Sequence, residues 1–270
     1  MRTIIHVSDL HFGRVNPAIL SPLVAFIRGA KPDLVAVSGD LTQRARTREY
    51  LAAREFLRSI PFPQIVVPGN HDVPLHNPFS RFVRSLDRYR RYISADLQPF
   101  FCDEEIAVAG VNTARALTLT WKDGRINRRQ LTNLRSTFEQ VPPGRTRVVV
   151  THHPFDLPTD TQGRVVGRSR LAIKTIAECQ VDLLLAGHFH IADVGYTAKR
   201  YNVPGYSALI VSSGTSTSTR GRGQPNSLNV ICIEESTIRI QRHVWQPEAH
   251  LFESLTVERF HRTTSGWIRE

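Results

Sequence analysis

The residues of this chain able to do chemistry stand in five short groups: Asp9 with His11, Asp40, the run Asn70-His71-Asp72, the pair His152-His153, and His188 with His190. Each group follows directly on an apolar run, in IIHVSDLH (4–11), LVAVSGD (34–40), IVVPGNHD (65–72), VVVTHHP (148–154) and LLLAGHFH (183–190). Carboxylate, imidazole and amide oxygen together make a ligand set for borderline divalent metals such as manganese, iron or zinc. Asp9 and His11 are two residues apart, as are His188 and His190, so in extended geometry each pair points to one side and reaches a common centre. Seven such ligands exceed what one ion uses. Two ions about 3.5 to 4 Å apart, sharing a carboxylate, account for the excess, and that arrangement clamps both oxygens of an in-line displacement at phosphorus.

The elements that must carry these groups are legible in the same runs. Short apolar, β-branched stretches at 3–8, 34–38, 64–68, 106–111, 147–151, 182–186, 208–213, 228–234 and 237–245 read as strands, most of them buried on both faces. Between them, 18–30, 46–60, 127–141 and 169–180 read as helices. The alternation predicts a layered α/β fold whose last strands turn antiparallel. Ligands of α/β sheets bind beyond the carboxyl ends of strands, so the five groups are expected to converge on one crevice.

Composition narrows the class without naming it. With 270 residues and 41% hydrophobic content, the chain can bury a large core, and one unit spanning 1–270 is the simplest organisation. No apolar run approaches the roughly 18 to 20 residues that cross a bilayer, and Asp9 interrupts the region where a signal peptide needs continuous apolar residues, so a cytoplasmic location is expected. Cys102, Cys179 and Cys232 are odd in number and far apart, which argues against a disulfide frame or a thiolate metal site. A net charge of +11, carried mainly by arginine, attracts anions: phosphate-bearing substrates, nucleic acid or acidic membrane surfaces.

The order D-x-H (Asp9, His11), G-D (Gly39, Asp40), G-N-H-D (Gly69 to Asp72), a later His (His152) and G-H-x-H (Gly187 to His190) resembles the calcineurin-like metallophosphoesterase superfamily over residues 9–190. Within it the chain looks most like the class III cyclic-nucleotide phosphodiesterases and their bacterial relatives, which also carry a Ser-rich loop similar to SSGTSTSTRGR (212–222). The resemblance implies a four-layer α-β-β-α sandwich with two mixed β-sheets. It implies two metal ions (Mn2+, Fe2+/Fe3+ or Zn2+), with Asp9, His11 and His190 on one, Asn70, His152 and His188 on the other, and Asp40 bridging. His152 is the ligand by this match, with His153 as the alternative. A hydroxide between the metals is the implied nucleophile, and two dications against two carboxylates and that hydroxide leave roughly one positive charge, which suits an anionic phosphodiester such as a 3′,5′-cyclic nucleotide. His71 is implied to face the leaving-group oxygen as a catalytic residue, with Asp72 holding its imidazole and keeping it protonated. The protein-phosphatase branch has G-D-x-V-D-R-G where this chain reads GDLTQRA (39–45), which disfavours it.

Other features leave alternatives open. Asn112, His153 and Arg220 are candidate substrate contacts, with loop capping and simple solubility as their rivals. The segment PFSRFVRSLDRYRRYISADL (78–97) carries an apolar stripe and five arginines; it reads as an amphipathic helix on the core, as a helical cap around 76–100, or as a face for lipid head groups. The last of these would suit a peripheral enzyme cutting a lipid-linked phosphodiester or pyrophosphate. A nuclease is permitted by charge, although the basic residues are not interleaved with aromatics as a stacking groove prefers. A non-catalytic metal scaffold stands last, since no ligand is missing. The stretch from Trp245 to Phe260 would pack at a homodimer interface or against the second sheet.

Overall fold

Strand β1 (Arg2–Val7) sorts its side chains by the two-residue period of extended chain: Ile5 and Val7 face one apolar layer and Ile4 the opposite one. It lies inside a seven-stranded sheet of order β13-β12-β11-β10-β1-β2-β3, with β2 (Leu34–Val37) and β3 (Gln64–Val66) parallel to it and β10 (Ser227–Ile233) antiparallel. Strands β11 (Thr237–Gln246), β12 (Leu251–Thr263) and β13 (Gly266–Arg269) extend that sheet as an antiparallel meander. A six-stranded sheet of order β4-β5-β6-β7-β9-β8 lies against it. Its members are β4 (Phe100–Cys102), β5 (Ile106–Gly110), β6 (Thr146–Val150), β7 (Leu183–Ala186), β8 (Asp193–Tyr196) and β9 (Leu209–Ser212), with β5, β6, β7 and β9 mutually parallel. This is a computed structural model describing residues 1–74, 85–115, 123–221 and 223–270.

Three apolar clusters separate four layers. Helices α1 (Pro17–Ala30) and α2 (Thr47–Arg58) cover the outer face of the seven-stranded sheet, burying Ile19, Leu23, Ile27 and Tyr50 against Ile5, Val7, Val35 and Val37. The middle cluster joins the sheets through Ile4, Ala36, Val108, Val150, Leu185 and Ile231. Helices α4 (Arg128–Glu139) and α5 (Ser169–Glu178) cover the other sheet, where Leu131, Leu134, Ile173 and Ile176 meet Ala107, Val149 and Leu184. The fold is therefore the expected four-layer α-β-β-α sandwich with two mixed sheets. A polar tie reinforces the middle layer: Asp182, just before β7, accepts from Trp267 Nε1 at 3.1 Å and from the Arg147 amide at 2.9 Å, and pairs with Arg262 at 2.9 Å.

Four strands were not legible in the sequence. β4 and β8 are edge strands of three and four residues, too short to show a period. β12 is exposed along most of its length, so its polar composition hides its 13-residue extent, and β13 is another short edge. The stretch Trp245 to Phe260 divides between layers: Trp245 and Phe252 pack under α1, and Phe260 joins the inter-sheet cluster. Of the basic segment 78–97, residues 78–84 lie outside the described residues, as does the 76–84 part of the cap expected around 76–100. Its described part forms the short helix α3 (Asp87–Tyr92), with Tyr89 buried and donating to the Val66 carbonyl, and Arg88 donating to the Ala45 carbonyl. Those contacts favour packing on the core for α3. Among the described residues no helix is long and apolar enough to cross a membrane.

Candidate metal centre

All five polar groups meet at the carboxyl ends of β1, β2, β3, β6 and β7. The geometry that turns them inward differs from the extended pairs anticipated. Asp9 (φ 53°), His11 (φ 49°), Asp40 (φ 52°), His188 (φ 77°) and His190 (φ 59°) all lie in the left-handed region. β1 ends at Val7 and β7 at Ala186, so each D-x-H or H-x-H pair leaves its strand and folds back within a turn. Each such non-glycine conformation costs on the order of 1 to 3 kcal/mol, a strain tolerated where function over-determines the site.

Two sets of donor atoms result, with one carboxylate oxygen common to both. Around the first, His190 Nε2 is 3.1 Å from Asp9 Oδ1 and 3.1 Å from His11 Nε2, and His11 Nε2 is 3.7 Å from Asp40 Oδ2. Around the second, His152 Nε2 is 3.4 Å from the same Asp40 Oδ2 and 3.1 Å from Asn70 Oδ1, and His188 Nδ1 is 3.0 Å from Asn70 Oδ1 and 3.3 Å from His152 Nε2. Bonds of about 2.1 Å to a central ion place neighbouring ligands roughly 3.0 Å apart in an octahedron and 3.4 Å in a tetrahedron, so these spacings fit ions of that size. Asp9 Oδ1 is buried and faces the His190 and His11 imidazoles at 3.1 and 3.6 Å, in the first set. The residues present thus have the donor chemistry for two neighbouring ions, with Asp40 Oδ2 facing both sets.

Backbone carbonyls fix the imidazoles. His152 Nδ1 is 2.8 Å from the Ser38 carbonyl, His190 Nδ1 2.9 Å from that of Arg220, and His11 Nδ1 3.4 Å from that of Thr42. A ring that donates from Nδ1 keeps the Nε2 lone pair for a cation. The carboxylates are held likewise: Ser8 Oγ (2.6 Å) and the His188 amide (3.0 Å) donate to Asp9 Oδ2, and the His71 amide (2.8 Å) to Asp40 Oδ1. Burial opposes charge on both acids, yet His190 and His11 hold Asp9 well below the usual carboxylate range, and His152 and His71 do the same for Asp40. Burial likewise opposes charge on His152, but Asp40 and Asp9 push it up to about 9. Two buried carboxylates recruit protonated imidazoles when no other cation is present, which is the electrostatic demand that metal ions would meet.

His71 and Asp72 differ from their expected pairing. The Asp72 carboxylate accepts from the amides of Leu41 (3.1 Å), Thr42 (2.9 Å) and Gly69 (2.9 Å) and from Thr42 Oγ1 (2.9 Å), so it ties the β2 loop to the β3 loop and does not hold the His71 ring. His71 Nδ1 instead meets the Gln43 carbonyl at 2.8 Å, and Arg220 Nη1 donates to its Nε2 at 2.9 Å. Burial, with the neighbouring His11 adding to it against Asp40, pushes His71 down to about 4, so the ring is neutral at neutral pH, contrary to the protonated form anticipated.

Of the candidate substrate contacts, Arg220 stands at the centre through His71 and His190. His153 lies beside it: its ring is 4.5 Å from that of His188, while its Nδ1 is 2.8 Å from Thr113 Oγ1. His153 stands with His152 and His188 in one group whose donor atoms lie within 4.8 Å of one another, and Asn70 Oδ1 is 3.1 Å from His152 Nε2 and 3.0 Å from His188 Nδ1. Asn112 Oδ1 caps its own turn by accepting from the Ala114 amide at 2.8 Å, in the wall of a neighbouring cavity. Sequence reasoning missed the work of the Ser/Thr-rich run 212–219. Thr215 Oγ1 donates to the Asp9 carbonyl and Thr217 Oγ1 to the Leu10 carbonyl, both at 2.7 Å, so buried hydroxyls brace the strained β1 loop. A run of hydroxyl residues following an apolar strand was the signal available.

The chain is 35% identical over 78 residues to the glycerophosphodiester phosphodiesterase GpdQ of Enterobacter lignolyticus, covering 25% of this chain and 28% of that protein. It is 26% identical over 169 residues to a probable GpdQ of Arcobacter nitrofigilis, covering 59% and 57%. The matches thus span little more than a quarter of the first relative's length and little more than half of the second's. A probable cyclic nucleotide phosphodiesterase of Rhodopseudomonas palustris is 28% identical over 201 residues, with 68% and 70% covered. In fold, yellow lupin purple acid phosphatase PPD1 superposes with a TM-score of 0.73 at 11% identity, over 97% of this chain and 54% of that one. A dimetal phosphatase from Danio rerio does so with 0.63 at 11% identity, over 94% and 98%. The model for calcineurin-like phosphoesterases matches residues 2–192, and the chain belongs to that family.

Proposed function

We propose that the protein is a two-metal hydrolase of small phosphodiesters, 3′,5′-cyclic nucleotides among them. The observation that carries this reading is Asp40 Oδ2, which lies 3.7 Å from His11 Nε2 and 3.4 Å from His152 Nε2 and so belongs to both donor sets. When bound, the two ions would supply Lewis acidity toward the phosphoryl oxygens and acidify a shared water. The protein's own residues have three tasks. Asp9, His11 and His190 would hold one ion and Asn70, His152 and His188 the other, with the His11, His152 and His190 rings oriented by backbone carbonyls. Arg220, fixed between the His71 ring and the His190 Nδ1 bond to its carbonyl, offers guanidinium donors to the non-bridging oxygens of an anionic diester. His71 is assigned to positioning Arg220 and Asp72 to locking the loops that carry Asp40 and Asn70. The relatives named as phosphodiesterases support diester over monoester chemistry. We read residues 1–270 as one domain, because β10 pairs directly with β1.

The test is hydrolysis of bis(p-nitrophenyl) phosphate with added manganese, beside p-nitrophenyl phosphate and the variants Asp40→Ala and Asn70→Ala. Diester turnover that needs metal, exceeds monoester turnover and collapses in both variants is expected. Turnover of neither ester by metal-loaded protein would overturn the reading.

A further inference from the structure

A cavity of about 690 Å³ opens beside the metal centre between the end of the α3 region, the loop after β5 and the start of α4. Among the described residues five arginines line it, Arg90, Arg115, Arg125, Arg129 and Arg168, and no aspartate or glutamate does. Among the described residues only Arg90 has a carboxylate within reach, Asp87 at 4.0 Å. Five guanidinium groups around one space repel each other unless an anion joins them, whereas other arginines of the chain face a carboxylate, as Arg135 does Glu178 and Arg200 does Asp156. The arrangement is also braced. Arg115 Nη2 donates to Gln130 Oε1 at 2.9 Å and its Nε to the Arg125 carbonyl at 3.3 Å; Gln130 Nε2 in turn donates to the Asn112 carbonyl at 2.5 Å. Gln130 is itself fixed by a reciprocal cap with Asn127 at the start of α4. Burial and the charges of Arg125 and Arg168 lower the pKa of Arg115, the signature of cations gathered without a counter-charge.

The cavity is continuous with the centre by chain and by contact. Asn112 is in its wall, and the next residue, Thr113, holds His153, whose ring lies against His188. We infer that this cavity is a second anion site, which binds a dianionic phosphate group separate from the one at the metals. Planar guanidinium forks suit phosphate oxygens in bidentate fashion. The group would be a second phosphate carried by the substrate or a free phosphate ion, and the two sources are separable.

Binding is read first without catalysis, so the outcome does not depend on the phosphodiesterase reading. Isothermal titration of chelator-treated protein with inorganic pyrophosphate should give one saturable site. It should weaken at least about tenfold in Arg115→Gln and in Arg168→Gln, the loss expected when one charge-assisted bidentate contact goes, and persist in Asn70→Ala. Thermal melts of each variant establish that it is folded. Turnover then assigns the source, comparing thymidine 5′-(p-nitrophenyl phosphate) with its 3′-phosphorylated form. A substrate phosphate in the cavity lowers KM for the 3′-phosphorylated ester in the wild type, and the advantage disappears in the double variant that combines Arg115→Gln with Arg168→Gln. A free ion leaves the two KM values alike while pyrophosphate still binds. Absence of saturable pyrophosphate binding to the chelated protein, or binding undiminished in the folded double variant, would overturn the inference.

Discussion

A methyl group at Gly69 tests how tightly the bridging carboxylate is packed. A Cβ built there lies 2.1 Å from Asp40 Oδ1 and 2.4 Å from the Asp40 amide, where ordinary contact begins at 3.4 Å. Gly69 has φ −106°, open to any residue, so the conflict is steric and not conformational. Relieving it moves the carboxylate by about 1.3 Å, more than half the length of a roughly 2.1 Å metal–oxygen bond, and Oδ2, carried with Oδ1 on that carboxylate, then leaves the position common to both donor sets. A displacement of about 1 Å in a catalytic constellation costs on the order of a hundredfold in rate. Gly69→Ala is therefore expected to bind at most one metal per chain by elemental analysis and to lose at least about a hundredfold in kcat/KM on bis(p-nitrophenyl) phosphate. Gly29→Ala is the control: its Cβ would meet nothing within 4 Å, and removing a glycine from α1 should stabilise by about 0.5 to 1 kcal/mol. Two metals and wild-type turnover in Gly69→Ala would refute the tight packing around Asp40.

Three further outcomes follow from particular contacts. His6 is fully buried with Nε2 2.9 Å from Ser38 Oγ, and burial lowers it to about 3. A histidine kept neutral stabilises the fold above its unfolded pKa and loses that contribution as pH falls from about 6.5 toward 3, so urea unfolding should show about 2 kcal/mol more loss between pH 7.5 and 5 in the wild type than in His6→Gln; equal losses would contradict it. Asp182→Ala strands Trp267 Nε1, the Arg147 amide and Arg262, and should cost about 3 kcal/mol in unfolding free energy while leaving metal content unchanged; a melt within a degree of wild type would show the tie to be dispensable. Arg220→Gln should raise KM for diesters more than it lowers kcat, and His71→Gln, which retains an acceptor near Arg220 Nη1, should recover part of what His71→Ala loses; equal damage in both His71 variants would argue against a positioning role.

How far the sequence reveals such a site depends on the kind of residue. The candidate metal ligands were legible because carboxylate, imidazole and amide groups stood immediately after buried strands, and β1, β2, β5, β6 and β7 declared themselves as continuous apolar runs. The turns that aim those ligands were not, because nothing in D-x-H distinguishes extended chain from the left-handed backbone found at Asp9 and His11. Asp72 was misassigned for a related reason. Adjacency to His71 suggested a side-chain partner, whereas the 3₁₀ turn at Asn70–Asp72 directs the carboxylate to backbone amides of a loop some thirty residues earlier. The long β12 hid behind its exposed polar face, and the arginine cavity draws on segments that only tertiary structure brings together.

The proposed sharing of the Asp40 carboxylate by two ions is tested most directly by electron paramagnetic resonance of manganese-loaded protein. Two equivalents of Mn2+ should give the multiline spectrum of a spin-coupled pair, and Asn70→Ala, which cripples one donor set, should give the six-line spectrum of an isolated ion. A six-line spectrum from the wild type at two bound equivalents would mean that Asp40 does not bridge, and a single bound equivalent would contradict the two-metal centre itself.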